Sequence, residues 1–270
     1  MTDLKTVIAD LTAESEQIDR MVAGLDDARW GLPTAAPGWT IADQVAHLSF
    51  IYRLAGTAAS DAAAFQALVE RAKGDFDGAV NAALDDYPRA APRELFARWS
   101  AERTAGIDAL AAVPEDGTVP WLVNPLPPAI LACAGIMETF AHGQDIADAL
   151  GVRPERTDRL IHLVGFAILV RDFGYQAHGL TPPAEEFRYE ITSPSGQAWD
   201  FGPEDAEQRV SGPAEDFCLL VTRRRHPADL AIRVSGAEAE RWLGIAQAYR
   251  GPAGQGRLPG QFAPVRDGRR

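Results

Sequence analysis

The sequence predicts an α + (α+β) protein, a four-helix bundle followed by a small α+β domain. Apolar residues recur at helical spacing through the first two-thirds of the 270-residue chain. After His178 the pattern turns to strand-like alternation. A Pro-containing stretch, TPPAEE (181–186), lies between the two textures and marks the boundary. The bundle is assigned to residues 1–180, the α+β domain to 185–250 and a flexible tail rich in Gly, Pro and Arg to 251–270.

Leu4, Ile8, Leu11, Ile18, Met21, Val22 and Leu25 define a first helix that breaks before Pro33. In PGWTIADQVAHLSFIYRLAG (37–56), Thr40 is positioned as an N-cap, and Asp43 three residues on completes a short capping box. Residues 61–86 form a looser acidic helical segment ending near Pro88. Leu95, Trp99, Ile107, Leu110 and Val113 mark a third long helix that stops at Pro114. A fourth runs from about Pro128 to Gly151, and a fifth occupies about 155–178. Beyond the boundary, FRYEITSPSGQAWDF (187–201) alternates around a Ser-Gly turn, as a β-hairpin does. A short strand near Val210, a helix through DFCLLVTRR, a strand at DLAIRVSG (229–236) and a helix at AEAERWLGIAQAY complete the prediction.

Charge narrows the function classes. With 26 basic and 38 acidic residues the net charge is −12, a surface that repels phosphate backbones and anionic lipid. Neither a nucleic-acid nor a membrane partner is expected. A small-molecule substrate is, with oligomeric state, a homodimer included, left open. Cys133 and Cys218 sit far apart among apolar neighbours, as buried thiols in a reducing compartment do. MTDLKTVIADLTAE lacks a basic segment followed by an apolar core, and the longest apolar run, LIHLVGFAILV (160–170), is interrupted by His162. The expected location is cytoplasmic.

The chemistry concentrates in METFAHGQDIADALG (137–151), where Glu138, His142 and Asp145 follow at spacings of four and three. At about 100° per residue all three fall on one stripe of a helix. His47 lies on the second helix, four residues after Asp43. If those helices face one another, His47, Glu138 and His142 offer two imidazoles and a carboxylate to a divalent metal, with positions left for water or substrate. Gly135 is expected to leave room on that stripe. Asp43 and Asp145 are the candidate acceptors for the free ring N–H of a ligand histidine, or proton carriers. For Asp43 a helix cap alone is the equal alternative. Trp39 is expected to pack at the start of its helix, with substrate stacking the lesser role. Arg223, Arg224 and Arg225 could grip a carboxylate of a substrate or thiol cosubstrate. A solvated helix end, where positive charge suits the dipole, explains the same run. His162, His178 and Cys133 are read as structural.

GWTIADQVAHL (38–48) and METFAHGQDIADALG (137–151) resemble the paired signatures of the mycothiol-dependent maleylpyruvate isomerase N-terminal family, within the DinB/YfiT-like metal-binding superfamily. The stretch WDFGPEDAEQRVSGPAEDFCLLVTRRRHPADL (199–230), with SGAEAERWLGIAQAYRGP, resembles the sterol-carrier-like C-terminal half of those isomerases. It is closest to an actinobacterial subfamily described by metal binding alone. The resemblance implies a DinB-like bundle with His47, Glu138 and His142 as ligands, zinc as the usual metal and mycothiol as the thiol cosubstrate. It also implies a functional arginine in the C-terminal half, aligned here only to the Arg223–Arg225 cluster. The expected function is therefore metal-dependent thiol chemistry, an S-transferase or cis–trans isomerase acting on a small electrophile. Two alternatives stay open: a non-catalytic metal- and small-molecule-binding protein, and a thiol-independent Lewis-acid hydrolase or cyclase of specialised metabolism.

Overall fold

The structure, a computed structural model, describes residues 3–72 and 76–262. The chain divides into two compact units, residues 1–155 and 156–270. Among the described residues no helix is long and apolar enough to cross a membrane.

Four long helices build the first unit: α1 (Leu4–Val22), α3 (Ile41–Ser60), α6 (Pro92–Ala111) and α7 (Pro128–Leu150). Helix α1 packs on α6 and α7, and α3 packs on the same two, closing a bundle. The short α2 (Asp27–Trp30) precedes α3. The acidic segment expected over 61–86 divides into α4 (Ala62–Ala72) and α5 (Phe76–Asp85), and its residues 73–75 lie outside the described residues. The capping box holds as expected: the Thr40 hydroxyl accepts from the backbone N–H of Asp43, and the Asp43 carboxylate accepts from the backbone N–H of Thr40. Helix α7 ends at Gly151, whose φ of 66° is the left-handed conformation that glycine adopts without steric cost.

Val7, Leu11, Ile18, Val45, Leu48, Leu95, Trp99, Ile136 and Phe140 fill the bundle, all essentially inaccessible. Two polar ties cross this apolar interior. The Thr139 hydroxyl donates to the Gly135 carbonyl and so accepts from Tyr52 at 2.8 Å, linking α3 to α7. Trp99 Nε1 donates to Asp19 at 2.7 Å, and Arg103 pairs with the same carboxylate at 3.0 Å, linking α6 to α1. Where α3 crosses α6, glycines meet. A Cβ on Gly106 would lie 2.5 Å from the Tyr52 carbonyl oxygen, and one on Gly56 would lie 2.9 Å from Gly106 Cα. Gly135, expected to clear space beside the ligand stripe, faces α1 instead, where a Cβ would stand 3.2 Å from Leu11.

The second unit contains α8 (Leu160–Leu169), α9 (Asp172–Ala177) and a four-stranded sheet in the order β2-β1-β3-β4. The expected hairpin is present as β1 (Phe187–Thr192) and β2 (Ala198–Phe201), turning at Gly196 with φ 88°. Strand β3 (Gln208–Pro213) runs parallel to β1 and antiparallel to β4 (Arg233–Ser235). Helices α10 (Ala214–Val221) and α11 (Ala237–Ile245) accompany the sheet, and Phe187, Tyr189, Phe217 and Trp242 form its aromatic core. Two expectations shift here. The single helix over 155–178 is broken into α8 and α9, and α8 packs on α10 and groups with this unit. The strand over 229–236 shrinks to three residues, because a 3-10 turn at Pro227–Asp229 occupies its start. Residues 251–262 of the expected tail carry no helix or strand but are anchored: Gly260 N–H donates to Asp229, and Phe262 lies under the Arg225 guanidinium. Residues 263–270 lie outside the described residues.

Candidate metal centre

The two signature segments meet on facing helices. Gln44 of α3 touches His142 of α7, and His47 approaches Glu138, so the contacts run in opposite sequence order, as antiparallel helices require. Glu138 Oε2 lies 3.3 Å from His142 Nε2 and 3.7 Å from His47 Nε2. One donor atom from each of His47, Glu138 and His142 falls within 4.8 Å of the others. Among the described residues no fourth His, Cys, Asp or Glu joins this cluster. The side chains retain 14%, 25% and 12% exposure respectively, so the set is enclosed yet reachable from solvent.

These residues fit a divalent transition metal. Two neutral imidazoles and one carboxylate give a mixed N/O set of net charge −1 with positions to spare. Burial by itself would push the Glu138 carboxyl up. The hydrogen bonds and charges of His142 and His47 outweigh it and hold the group well below the ordinary carboxylate range. His47 Nδ1 is buried without a hydrogen-bond partner, so nothing in the described structure commits that ring to a purely structural role.

The loop before α3 completes the surroundings. Residues 33 and 40 form an isolated bridge, and Thr34 N–H donates to the Trp39 carbonyl at 2.8 Å, a tight turn in which Gly38 takes φ 78°. That turn lays the Trp39 ring against both imidazoles, stacked on His142 at 5.9 Å and tilted against His47 at 5.2 Å. Trp39 thus does more than pack at a helix start: it walls one side of the cluster. Gln44, wholly buried, bridges loop and cluster; its Nε2 donates to Thr34 Oγ1 at 2.8 Å and its Oε1 meets His142 Nδ1 at 2.5 Å. Sequence reasoning passed over both Gln44 and Thr34. The available signal was position, since Gln44 stands three residues before His47 on the same face of its helix.

The other candidates are placed differently. Asp43 does not orient a histidine. Its Oδ2 accepts from Thr40 and its Oδ1 pairs with Arg89 at 3.2 Å, so the carboxylate is consumed by the cap and by the segment preceding α6. Asp145, one turn beyond His142, is fully buried on α7. Arg223, Arg224 and Arg225 belong to the other unit, past the end of α10. Arg223 N–H and Arg224 N–H close that helix on the Leu220 and Leu219 carbonyls, with Arg223 in the left-handed region at φ 58°. The guanidinium of Arg224 donates to the Thr222 carbonyl, and that of Arg225 to the Arg224 carbonyl, both at 2.7 Å. These contacts are those of a helix terminus. His162 is buried in α8, and His178 Nδ1 bonds the Gly174 carbonyl. Cys133 is buried outside the cluster, its thiol pushed up to about 12 by burial.

Comparison with known proteins agrees with this architecture. The profile of the mycothiol maleylpyruvate isomerase N-terminal domain matches residues 11–147, and that of wyosine base formation matches residues 183–234. Two proteins of Mycobacterium tuberculosis, one from each of two strains and both described only as uncharacterised, are 45% identical over 257 residues, covering 95% of this chain and 100% of theirs. Crystal structures of a mycothiol-dependent maleylpyruvate isomerase and of its histidine-to-alanine mutant share the fold. Their TM-scores are 0.51 and 0.55 at 14% and 15% identity, over 81% of this chain and 88% of theirs. With its helical bundle matched over residues 11–147 and its fold shared with those isomerases, the chain belongs to the mycothiol maleylpyruvate isomerase N-terminal domain family.

Proposed function

We propose that this chain is a metal-dependent enzyme of low-molecular-weight thiol chemistry, an S-transferase or cis–trans isomerase acting on a small electrophile with a mycothiol-type cosubstrate. The observation that carries the reading is the three-donor cluster with no fourth protein ligand among the described residues, in a chain of this family. His47, Glu138 and His142 would hold a divalent ion, for which we propose zinc, and it would supply the Lewis acidity that lowers a thiol from its free pKa of about 8.5 toward neutrality. A thiolate can add to a conjugated alkene, let the bond rotate and leave again, or it can displace a leaving group and stay.

The protein supplies position and electrostatics. Glu138 contributes the single negative charge of the donor set, and its depressed pKa keeps that charge in place at any working pH. Trp39 excludes water from one side of the cluster and offers a flat apolar wall to a small planar substrate. Asp145 is too enclosed to meet a substrate, so its proposed part is to hold the ligand face of α7 from within. Asp43 holds the start of α3, and with it the approach of Gln44 and His47.

Elemental analysis of the wild type beside His47→Ala and His142→Ala tests the reading, together with single-turnover assays that follow both thiol consumption and thiol-dependent isomerisation across a panel of electrophiles. Near-stoichiometric metal lost in both variants is the expected result, with thiol transfer or thiol-dependent isomerisation seen only in the loaded wild type. A metal-loaded protein that neither consumes thiol nor isomerises any electrophile in a thiol-dependent way would overturn it.

A further inference from the structure

We propose that Gln44 is a positioning residue that fixes His142 with the hydrogen on Nδ1, so that Nε2 is the atom offered to the metal. The inference deepens the metal-site reading above and rests on it for its consequence, though not for its geometry.

The direction of every hydrogen in the chain of contacts follows from donor and acceptor counting. The Thr34 hydroxyl has one hydrogen, and it is directed at the Trp39 carbonyl 2.9 Å away. Toward Gln44, 2.8 Å away, Thr34 Oγ1 can therefore only accept, as it does from Ala36 N–H. This sets the Gln44 amide with its NH2 toward Thr34 and its carbonyl oxygen toward His142. A carbonyl oxygen cannot donate, so the hydrogen in the contact with His142 belongs to Nδ1. In a neutral imidazole the lone pair is then on Nε2. Nε2 faces Glu138 Oε2 at 3.3 Å, so the position between them takes a second proton on the ion-free ring or a cation in its place.

The two histidines are thereby unequal. His47 has no hydrogen-bond partner on its own Nδ1 and keeps both tautomers available. His142 is preset before any ion arrives. Outer partners of this kind typically change metal affinity by about 10–100-fold. Because Gln44 is wholly buried and Thr34 lies in the loop outside the bundle, the preset survives only while that loop keeps its turn.

The test is long-range 1H–15N NMR of the histidine rings in the full chain, with and without zinc, in the wild type, Gln44→Met, Gln44→Glu and Thr34→Ala. His142 Nδ1 protonated in the metal-free and zinc-loaded wild type is the expected outcome. Gln44→Met should mix the tautomers and weaken zinc binding about 10–100-fold, while Gln44→Glu, which keeps an acceptor, retains the preset. Thr34→Ala, which leaves the bundle helices intact, should mix the tautomers in part and serves where Gln44→Met fails to fold. An unprotonated Nδ1 in wild-type His142, or zinc affinity unchanged in a folded Gln44→Met, would overturn the proposal. Absence of zinc binding in every form, with Nδ1 protonated as expected, would instead sink the metal reading and leave the role of Gln44 standing.

Discussion

Gly106→Ala tests how tightly α3, the helix that carries His47, is seated. The added Cβ would lie 2.5 Å from the Tyr52 carbonyl oxygen, 3.1 Å from its carbon and 3.4 Å from the Tyr52 Cβ. Carbon and carbonyl oxygen settle at about 3.3 Å, so roughly 0.8 Å must be found. The obstacle is backbone and cannot rotate away, which leaves separation of α3 from α6 as the only relief. Overpacking of this kind costs about 1–3 kcal/mol, and a clash with backbone belongs in the upper half of that range. Replacing a mid-helix glycine by alanine returns about 1 kcal/mol through helix propensity. The net loss is about 1–2 kcal/mol, or roughly 2–8 °C in Tm for a domain of this size. Differential scanning calorimetry and denaturant unfolding would measure it, with zinc titration alongside, since Tyr52 and His47 share one helix. Gly165→Ala is the control: nothing lies within 4 Å of its Cβ, so the propensity gain should appear alone and with the opposite sign. Gly106→Ala at wild-type stability would refute the close crossing and the reasoning drawn from it.

Three further outcomes are expected. Arg223→Gly places glycine where a side chain takes φ 58°, so denaturant unfolding should show stability held or raised by up to about 1 kcal/mol, and a large loss would show that the side chain outweighs the backbone strain. Burial, with the Glu238 charge, pushes Tyr175 up to about 12, and burial likewise lifts Tyr52, Tyr87 and Tyr189 above the free value. An acid raised in the folded state favours folding fully below its unfolded pKa of about 10, and that contribution falls away above it and is lost as pH rises through the folded value, about 12 for Tyr175. Tyrosinate absorbance should therefore rise together with unfolding at alkaline pH; a gradual rise with circular dichroism intact would contradict this. Finally, Co(II) or Ni(II) should quench tryptophan emission, and Trp39→Phe should remove most of the quench, because that ring lies within 6 Å of both imidazoles.

The sequence carried the candidate ligands more clearly than their support. Glu138 and His142 are one helical turn apart, and the capping box at Thr40 fixes where the His47 helix begins, so both are visible in spacing alone. Gln44 was invisible because its role depends on a hydroxyl ten residues earlier, in a loop whose turn no periodicity encodes. Asp43 looked like a partner of His47 because the two stand four apart, but a carboxylate at that position in the first helical turn meets the orphan N–H groups there first. The fifth helix misled for a different reason. LIHLVGFAILV is apolar on every side, and such a helix states that it is buried without stating against what. The strand over 229–236 shortened because only Arg233–Ser235 find a partner in β3.

The turn spanning residues 33–40 supplies both the aromatic wall and the anchor for Gln44, yet it adds no helix to the bundle. Substitutions at residues 33–39 can reshape the wall of the cluster while leaving the hydrophobic interior untouched. On the function proposed above, a lineage could thus explore new electrophiles through this short cassette, provided Thr40 stays as the cap that starts α3.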